Sequence, residues 1–284
     1  MYKYVFWGDL MTSFNTGANH EKENFIVSFL RAIGFFLFYY TVRSVIFSAA
    51  SIFFAVSSLG EEAYLENANM LAFISALVIV ISLIVFFSKR EKSVAENLYV
   101  GKPAVYTVLL AFLTGIFLSF AVNFVMSFLP SELLGSYVDS TANVFRGHIV
   151  WYILSAVIMA PVVEELIFRA MLISRLSCGM KNFVAILISS AVFGAVHGHI
   201  LWSSYAFAIG ILLGVFFVRS QSLIVSIALH FGFNLVSLSA FTRFNPPDII
   251  YIISIPVCAI LIFVFIMVTK KTAPKGPLDV TRNV

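Results

Sequence analysis

The 284-residue sequence predicts an all-α fold: a polytopic transmembrane helical bundle of about eight spans, with both termini inside. Three observations predict it. The chain is 61% hydrophobic and only 11% charged, against roughly a quarter charged in ordinary soluble domains, so polar groups are too scarce to cover a water-soluble globule. Its apolar runs reach the ~20 residues that a helix needs to cross ~30 Å of hydrocarbon. They are also continuous, unlike the ~10-residue alternating segments of a membrane β-barrel. Finally, the basic residues are distributed very unevenly about those runs. The same composition excludes a soluble enzyme, a disordered tail and a disulfide-stapled secreted module.

Taken in chain order, the spans fall at roughly 33–59, 69–87, 103–129, 149–172, 183–198, 202–218, 221–241 and 248–268. The first carries Arg43, expected to snorkel inward or close a helix end. The second and third carry no charged residue. The fourth holds Glu164, Glu165 and Arg169, with Pro161 loosening the helix one turn earlier. The fifth and sixth are short, as expected of helices bordering a water-filled cavity. The seventh carries His230 and Asn234, and the eighth carries Cys258. Segment by segment, the chain divides into a cytoplasmic or interfacial stretch 1–32, N-terminal transmembrane helices 33–130, a polar-bearing helical core 145–241, and a last helix with a basic cytoplasmic tail, 248–284.

Charge orients the bundle. With the N-terminus inside, 14 of the 18 Lys and Arg lie on inner segments, from Lys3, Lys22 and Arg31 to Lys275 and Arg282. The outer loops hold only Arg146 and Arg243. This is the positive-inside pattern, and the net charge of +4 then calls for anionic lipid heads and no nucleic acid. Residues 1–24 contain Asp9, Glu21, Lys22 and Glu23 and lack the pattern of a cleaved secretory signal. Cys178 and Cys258 lie at different levels, so neither a disulfide framework nor a metal knuckle is expected.

An ionisable group at depth costs ~2.5–3.5 kcal/mol on insertion scales, so it is usually paired or functional. Of the 14 acidic residues, Glu164 and Glu165 alone fall inside a span. Glu165 and Arg169, at i and i+4, share a face and can neutralise each other. Glu164 is rotated ~100° away and has no partner on its own helix, which leaves it to exchange a proton as general base or acid. Two more pairs have the same spacing: Phe193 with His197, and His230 with Asn234. Glu164 and His230 lie at similar depth, whereas His197 falls deeper unless its helix bends near Gly194 or Gly198. His199 adds an H-x-H and is expected at the outer interface with Trp202 and Tyr205.

These three motifs, Glu164-Glu165-x-x-x-Arg169, Phe193-x-x-x-His197 and His230-x-x-x-Asn234, in this order on separate apolar helices, resemble the CPBP intramembrane proteases. That family is also known as the Abi family or the type II CAAX prenyl endopeptidases. The resemblance covers roughly residues 145–240 and implies hydrolysis of a peptide bond at or within the membrane. Carried over by position, it makes Glu164 the base that activates water and His197 a residue that holds that water. It gives His230 and Asn234 the oxyanion, with Glu165, Arg169 and Phe193 in support. Members have been described both as metal-independent glutamate proteases and as metalloproteases. Glu164, His197 and His230 could form a His₂Glu set for a divalent metal such as Zn.

The expected substrate is a membrane-embedded or lipidated peptide, a CAAX-type C-terminus or a hydrophobic precursor, met at the cell membrane in a cavity open toward the cytoplasmic side. A non-catalytic bacteriocin self-immunity factor or scaffold of the same family is the alternative. A proton-coupled transporter is a third, but it predicts duplicated halves, and the sequence has none. Other intramembrane protease chemistries lack their residues. There is no H-E-x-x-H on a span, no intramembrane Asp, and no Ser nucleophile motif. Oligomeric state leaves no mark on the sequence.

Overall fold

The computed structural model describes residues 25–90, 93–238 and 246–269. Residues 1–24 of the expected N-terminal interfacial segment, and the basic tail beyond 269, lie outside them. The described residues form helices and turns and contain no strand. In order they are α1 (Phe25–Val56), α2 (Gly60–Glu66), α3 (Ala68–Ser88), α4 (Val94–Asn97), α5 (Val105–Met126) and α6 (Ser131–Thr141). A long composite rod, α7, follows over 149–176, then α8 (Asn182–Ala195), α9 (Ile200–Ser220), α10 (Leu223–Val236) and α11 (Asp248–Thr269). Five of these, α1, α3, α5, α9 and α11, are long and apolar enough to cross a membrane, as in an integral, multi-pass protein.

The elements depart from the sequence expectation at three places. The first helix starts at Phe25, so Arg31 belongs to it and is buried instead of lying in an aqueous segment. The sixth span is full length, and the seventh is the short one, ending at Val236. The fifth is short as expected. At 14 residues each, α8 and α10 are about 21 Å long, well under the hydrocarbon thickness. Their ends therefore fall inside the bundle.

The rod α7 alternates in winding. Regular turns Ile149–Tyr152, Ala160–Glu165 and Ser174–Leu176 are separated by π-helical stretches Ile153–Met159 and Leu166–Ile173. Pro161 opens the middle turn, and because it has no N–H it cannot close an α bond back into the preceding stretch. A widened helix is the local answer to that missing donor. The result is a short regular segment carrying Glu164 and Glu165 between two wider ones.

The bundle has two chemically different ends. At one, Arg31 lies near Arg90 and Arg175, the Leu223 N–H donates to Tyr99 O (2.7 Å), and Arg219 of α9 donates to Ile266 O of α11 (2.7 Å). Lys89, Lys102 and Lys181 belong to the connections at this end. At the other end, Asn69 Nδ2 donates to Val144 O and Arg146 O (3.0 Å each), Ser136 Oγ meets His199 Nε2 (3.1 Å), and Tyr152 Oη meets Ser237 Oγ (2.6 Å). The acidic residues Glu61, Glu62, Glu66, Glu132 and Asp139 lie on α2 and α6 at this second end.

Between the ends, α5 and α10 pack backbone to backbone. A Cβ on Gly115 would overlap the Leu229 carbonyl of α10, and one on Gly232 would overlap the Phe112 carbonyl of α5. Such reciprocal small-residue contact is how helices approach closely in lipid. Gly115→Ala and Gly232→Ala should each destabilise the protein by roughly 2 kcal/mol, read as a lower melting temperature in detergent. Gly135→Ala, on exposed α6 with open space around it, should leave melting unchanged.

Candidate active site

The fourth-span residues occupy two different environments. Glu165 and Arg169 are both fully buried, with Arg169 Nη1 donating to Glu165 Oε1 at 2.8 Å. Arg169 Nη2 also donates to Gly210 O of α9 (3.3 Å), which ties α7 to α9 through backbone. The Glu164 side chain is 21% exposed and lines a cavity of about 770 Å³. The rotation between adjacent helical positions thus separates a bound carboxylate from an accessible one.

His230 of α10 joins the two. Its Nδ1 donates to Glu165 Oε1 (2.9 Å), while its Nε2 stands 3.7 Å from Glu164 Oε2. The first is a hydrogen bond and the second is too long to be one. Glu165 therefore sets the ring's orientation and tautomer and leaves Glu164 free to bond elsewhere. Asn234, one turn on, donates from Nδ2 to Ala156 O in the first π stretch of α7 (2.9 Å). An amide nitrogen has two hydrogens, so a second donor remains.

His197 follows the last turn of short α8, beside Gly198 at φ +79°. That bend brings a residue that a straight helix would carry deeper back to the cluster. Its Nδ1 donates to Phe193 O (2.6 Å), so in a neutral ring Nε2 is an acceptor. Phe193, 2% exposed, lies at the junction. Its ring packs edge-on to His197 (4.9 Å) and His230 (5.9 Å), and the Arg169 guanidinium sits 4.7 Å from its centre. Trp202 closes on the far side of His197 (5.1 Å).

The structure thus gathers Glu164, Glu165, Arg169, Phe193, His197, His230 and Asn234 into one neighbourhood. It does not bring together a metal site. Among the described residues no group of three His, Cys, Asp or Glu side chains could hold a metal ion, which overturns the expectation of a divalent metal such as Zn on Glu164, His197 and His230. The reason is local: His230 gives Nδ1 to Glu165 and His197 gives Nδ1 to its own backbone, each ring being fixed by a partner other than a shared centre.

Other residues differ from expectation. Arg43 neither snorkels nor closes a helix end; it lies within α1 and lines the cavity beside Tyr39 and Phe47. Tyr205 is turned inward onto Tyr137 (3.0 Å), and His199 caps α9, accepting from the Leu201 N–H. Asn69, which accepts from Ser155 Oγ (3.1 Å) and lines the cavity, carries no charge and so does not stand out among the ionisable groups of the sequence. Its signal was available as a buried amide at the start of an apolar run.

Fold and site together define a membrane-embedded helical protein with an acid–imidazole cluster facing an internal cavity. Residues 146–236 match the family described as Type II CAAX prenyl endopeptidase Rce1-like, so the segment bearing the cluster has a CAAX-protease-like fold, in agreement with the motif resemblance. The match covers about a third of the chain and supports protease function in general. No curated protein and no solved structure matches the chain.

The two glutamates should respond oppositely to substitution. Arg169→Met or Glu165→Leu leaves an uncompensated buried charge and should cost about 3–5 kcal/mol. Glu164→Gln should shift the detergent melting temperature little. Equal losses at the two carboxylates would contradict the separation of roles.

Proposed function

We propose that the chain is an intramembrane endopeptidase in which Glu164 activates a water for attack on a peptide bond of a membrane-associated substrate. The observation that carries the reading is the unequal treatment of the two carboxylates: Glu165 is spent on Arg169 and His230, while Glu164 faces the cavity with no hydrogen bond to a described residue. Water bound between Glu164 and the His197 Nε2 acceptor gives its proton to Glu164 as its oxygen bonds to the scissile carbonyl carbon. The second Asn234 N–H receives the developing oxyanion, with the His230 ring, whose Nε2 faces Glu164, beside it. Glu164 then passes the proton to the amide nitrogen as the C–N bond breaks. No step requires a bound metal.

Orientation follows from the two ends of the bundle. The basic end reads as cytoplasmic by the positive-inside rule, in a chain crossing the cell membrane about eight times with both termini inside. The cavity runs the other way, from Glu164 to Tyr137, Val138 and Phe145, and Val138 is 59% exposed. A mouth on the cytoplasmic side and a cytoplasmic basic end cannot both hold. The reading that keeps the charge rule has substrate entering from the extracytoplasmic side, as a hydrophobic or lipid-anchored peptide presented there.

Two experiments check this. In proteoliposomes supplied with a panel of tagged membrane-anchored peptides, Glu164→Gln should lower turnover roughly 10²–10⁴-fold and Asn234→Ala roughly 10²–10³-fold. Wild-type cleavage by Glu164→Gln would end the peptidase mechanism. In a Cys178→Ser, Cys258→Ser background, Ser140→Cys should react with an impermeant maleimide on intact cells and Lys181→Cys only after permeabilisation. The reverse pattern would invert the orientation.

A further inference from the structure

Arg43 is a charge in mid-span that the Glu164 cluster does not use. It lies about 18 Å along the axis of α1 from Arg31, which marks the basic end. It is half-buried and makes no salt bridge with any described residue. Its guanidinium carbon stands 5.7 Å from the centre of the Tyr39 ring and 5.5 Å from that of Phe47. The guanidinium also hydrogen-bonds the Tyr39 hydroxyl, which leaves further donors among the five N–H groups of an arginine. Arg43 lines the cavity together with Glu164, His197, His230 and Asn234.

Position along the cavity follows from the helix. Tyr39 and Tyr40 both lie within the field of Glu164, which sets the level of the cluster on α1. Arg43 is one turn, about 5.4 Å, farther toward the mouth. It therefore stands between the Glu164 level and the cavity entrance. Intramembrane cations mark binding or transport paths when no internal counter-ion explains them, and a planar guanidinium with donors to spare suits bidentate recognition of a carboxylate. Among the described residues no other Lys or Arg lines this cavity: Arg146, in the segment matched by the family, lies at the mouth end but is not part of the lining. Arg169 is fully buried and bonded to Glu165.

We propose that Arg43 is a carboxylate-binding residue of this cavity, holding an anionic group of the peptide within a few residues of the bond presented to Glu164, on its mouthward side. The proposal rests on the peptidase reading for what is bound, and on Arg43's own geometry for how. The carboxylate is either the C-terminus of the peptide or an acidic side chain near it. Arg43 is thus a specificity residue supplied by the N-terminal helix to a site whose chemistry lies on α7, α8 and α10.

The test reads binding apart from turnover. Purified Glu164→Gln protein in detergent is titrated calorimetrically with acetyl-Leu-Leu-Phe as free acid, with its C-terminal amide, and with the amide of acetyl-Leu-Asp-Phe. The free acid should bind about tenfold tighter than the amide. Arg43→Gln should erase that preference, and Arg43→Lys, which keeps charge but loses the fork, should retain part of it. Tight binding by the Asp-bearing amide assigns the site to a side-chain carboxylate, and weak binding assigns it to the terminus. Equal affinity for acid and amide, a preference that survives Arg43→Gln, or no binding by any probe overturns the proposal. Should Arg43→Gln fail to fold, full acid preference in Arg43→Lys and in Arg43→His would do the same. Carboxylate-dependent binding with no hydrolysis by the Glu164-intact protein would overturn the peptidase reading alone. Hydrolysis indifferent to the carboxylate would overturn this inference alone.

Discussion

A guanidinium with no exposed surface, in a chain built for lipid, has few ways to exist, and the buried contact between Arg169 and Glu165 is the one this fold uses. In a low-dielectric interior either charge alone would be severely penalised, while the pair, with further hydrogen bonds, is tolerable. Those further bonds reach across the bundle. Arg169 bonds the Gly210 carbonyl on α9, Glu165 bonds His230 on α10, and the Arg169 charge rests on the Phe193 ring of α8. A buried ion pair is weak evidence for stability but strong evidence for register, because a slip of any one helix would leave a charge unpaired. Four helices are thus fixed relative to one another by two side chains.

The site is a consequence of that fixing and of helices that stop short. Because α8 and α10 are each about 21 Å long, their ends lie within the membrane thickness, and the space beyond them becomes cavity. The π-helical stretches of α7 on either side of Glu164 and Glu165 fall where Pro161 removes a backbone donor. The widening turns Ala156 O toward Asn234, so an irregularity in one helix is satisfied by an amide on another. Polar groups at this depth are connected rather than scattered, which is the condition for keeping them in an apolar bundle.

Much of this was legible in the sequence. Charge scarcity named the solvent, and the few intramembrane charges named α7. The i, i+4 spacing of Glu165 and Arg169 gave their ion pair directly. Spacing did not reveal that His230 would turn to Glu165 instead of joining Glu164 and His197 around a metal, because that depends on the relative rotation of α7 and α10, which no local pattern encodes. His197 reaches the cluster through the bend that the sequence left open at its glycines: the helix ends at Ala195, two residues before it, and the chain turns through Gly198. The lengths of the sixth and seventh spans were misassigned because the boundary between α9 and α10 is only Gln221 and Ser222, in a sequence apolar on both sides. The end of the bundle at which the cavity opens is not legible in the sequence, because hydropathy locates helices, not the gaps between them.

The central claim is that Glu164, alone among the described residues, presents a carboxylate to the cavity, and chemical rescue tests it most directly. Truncation to alanine at position 164 removes the base and leaves an opening that a small exogenous carboxylate can enter. Formate added to Glu164→Ala proteoliposomes should restore part of the peptide turnover in a concentration-dependent way, while Glu165→Ala, whose carboxylate is sealed among Arg169 and His230, should not respond. Rescue of Glu165→Ala by formate, with none at Glu164→Ala, would contradict the account.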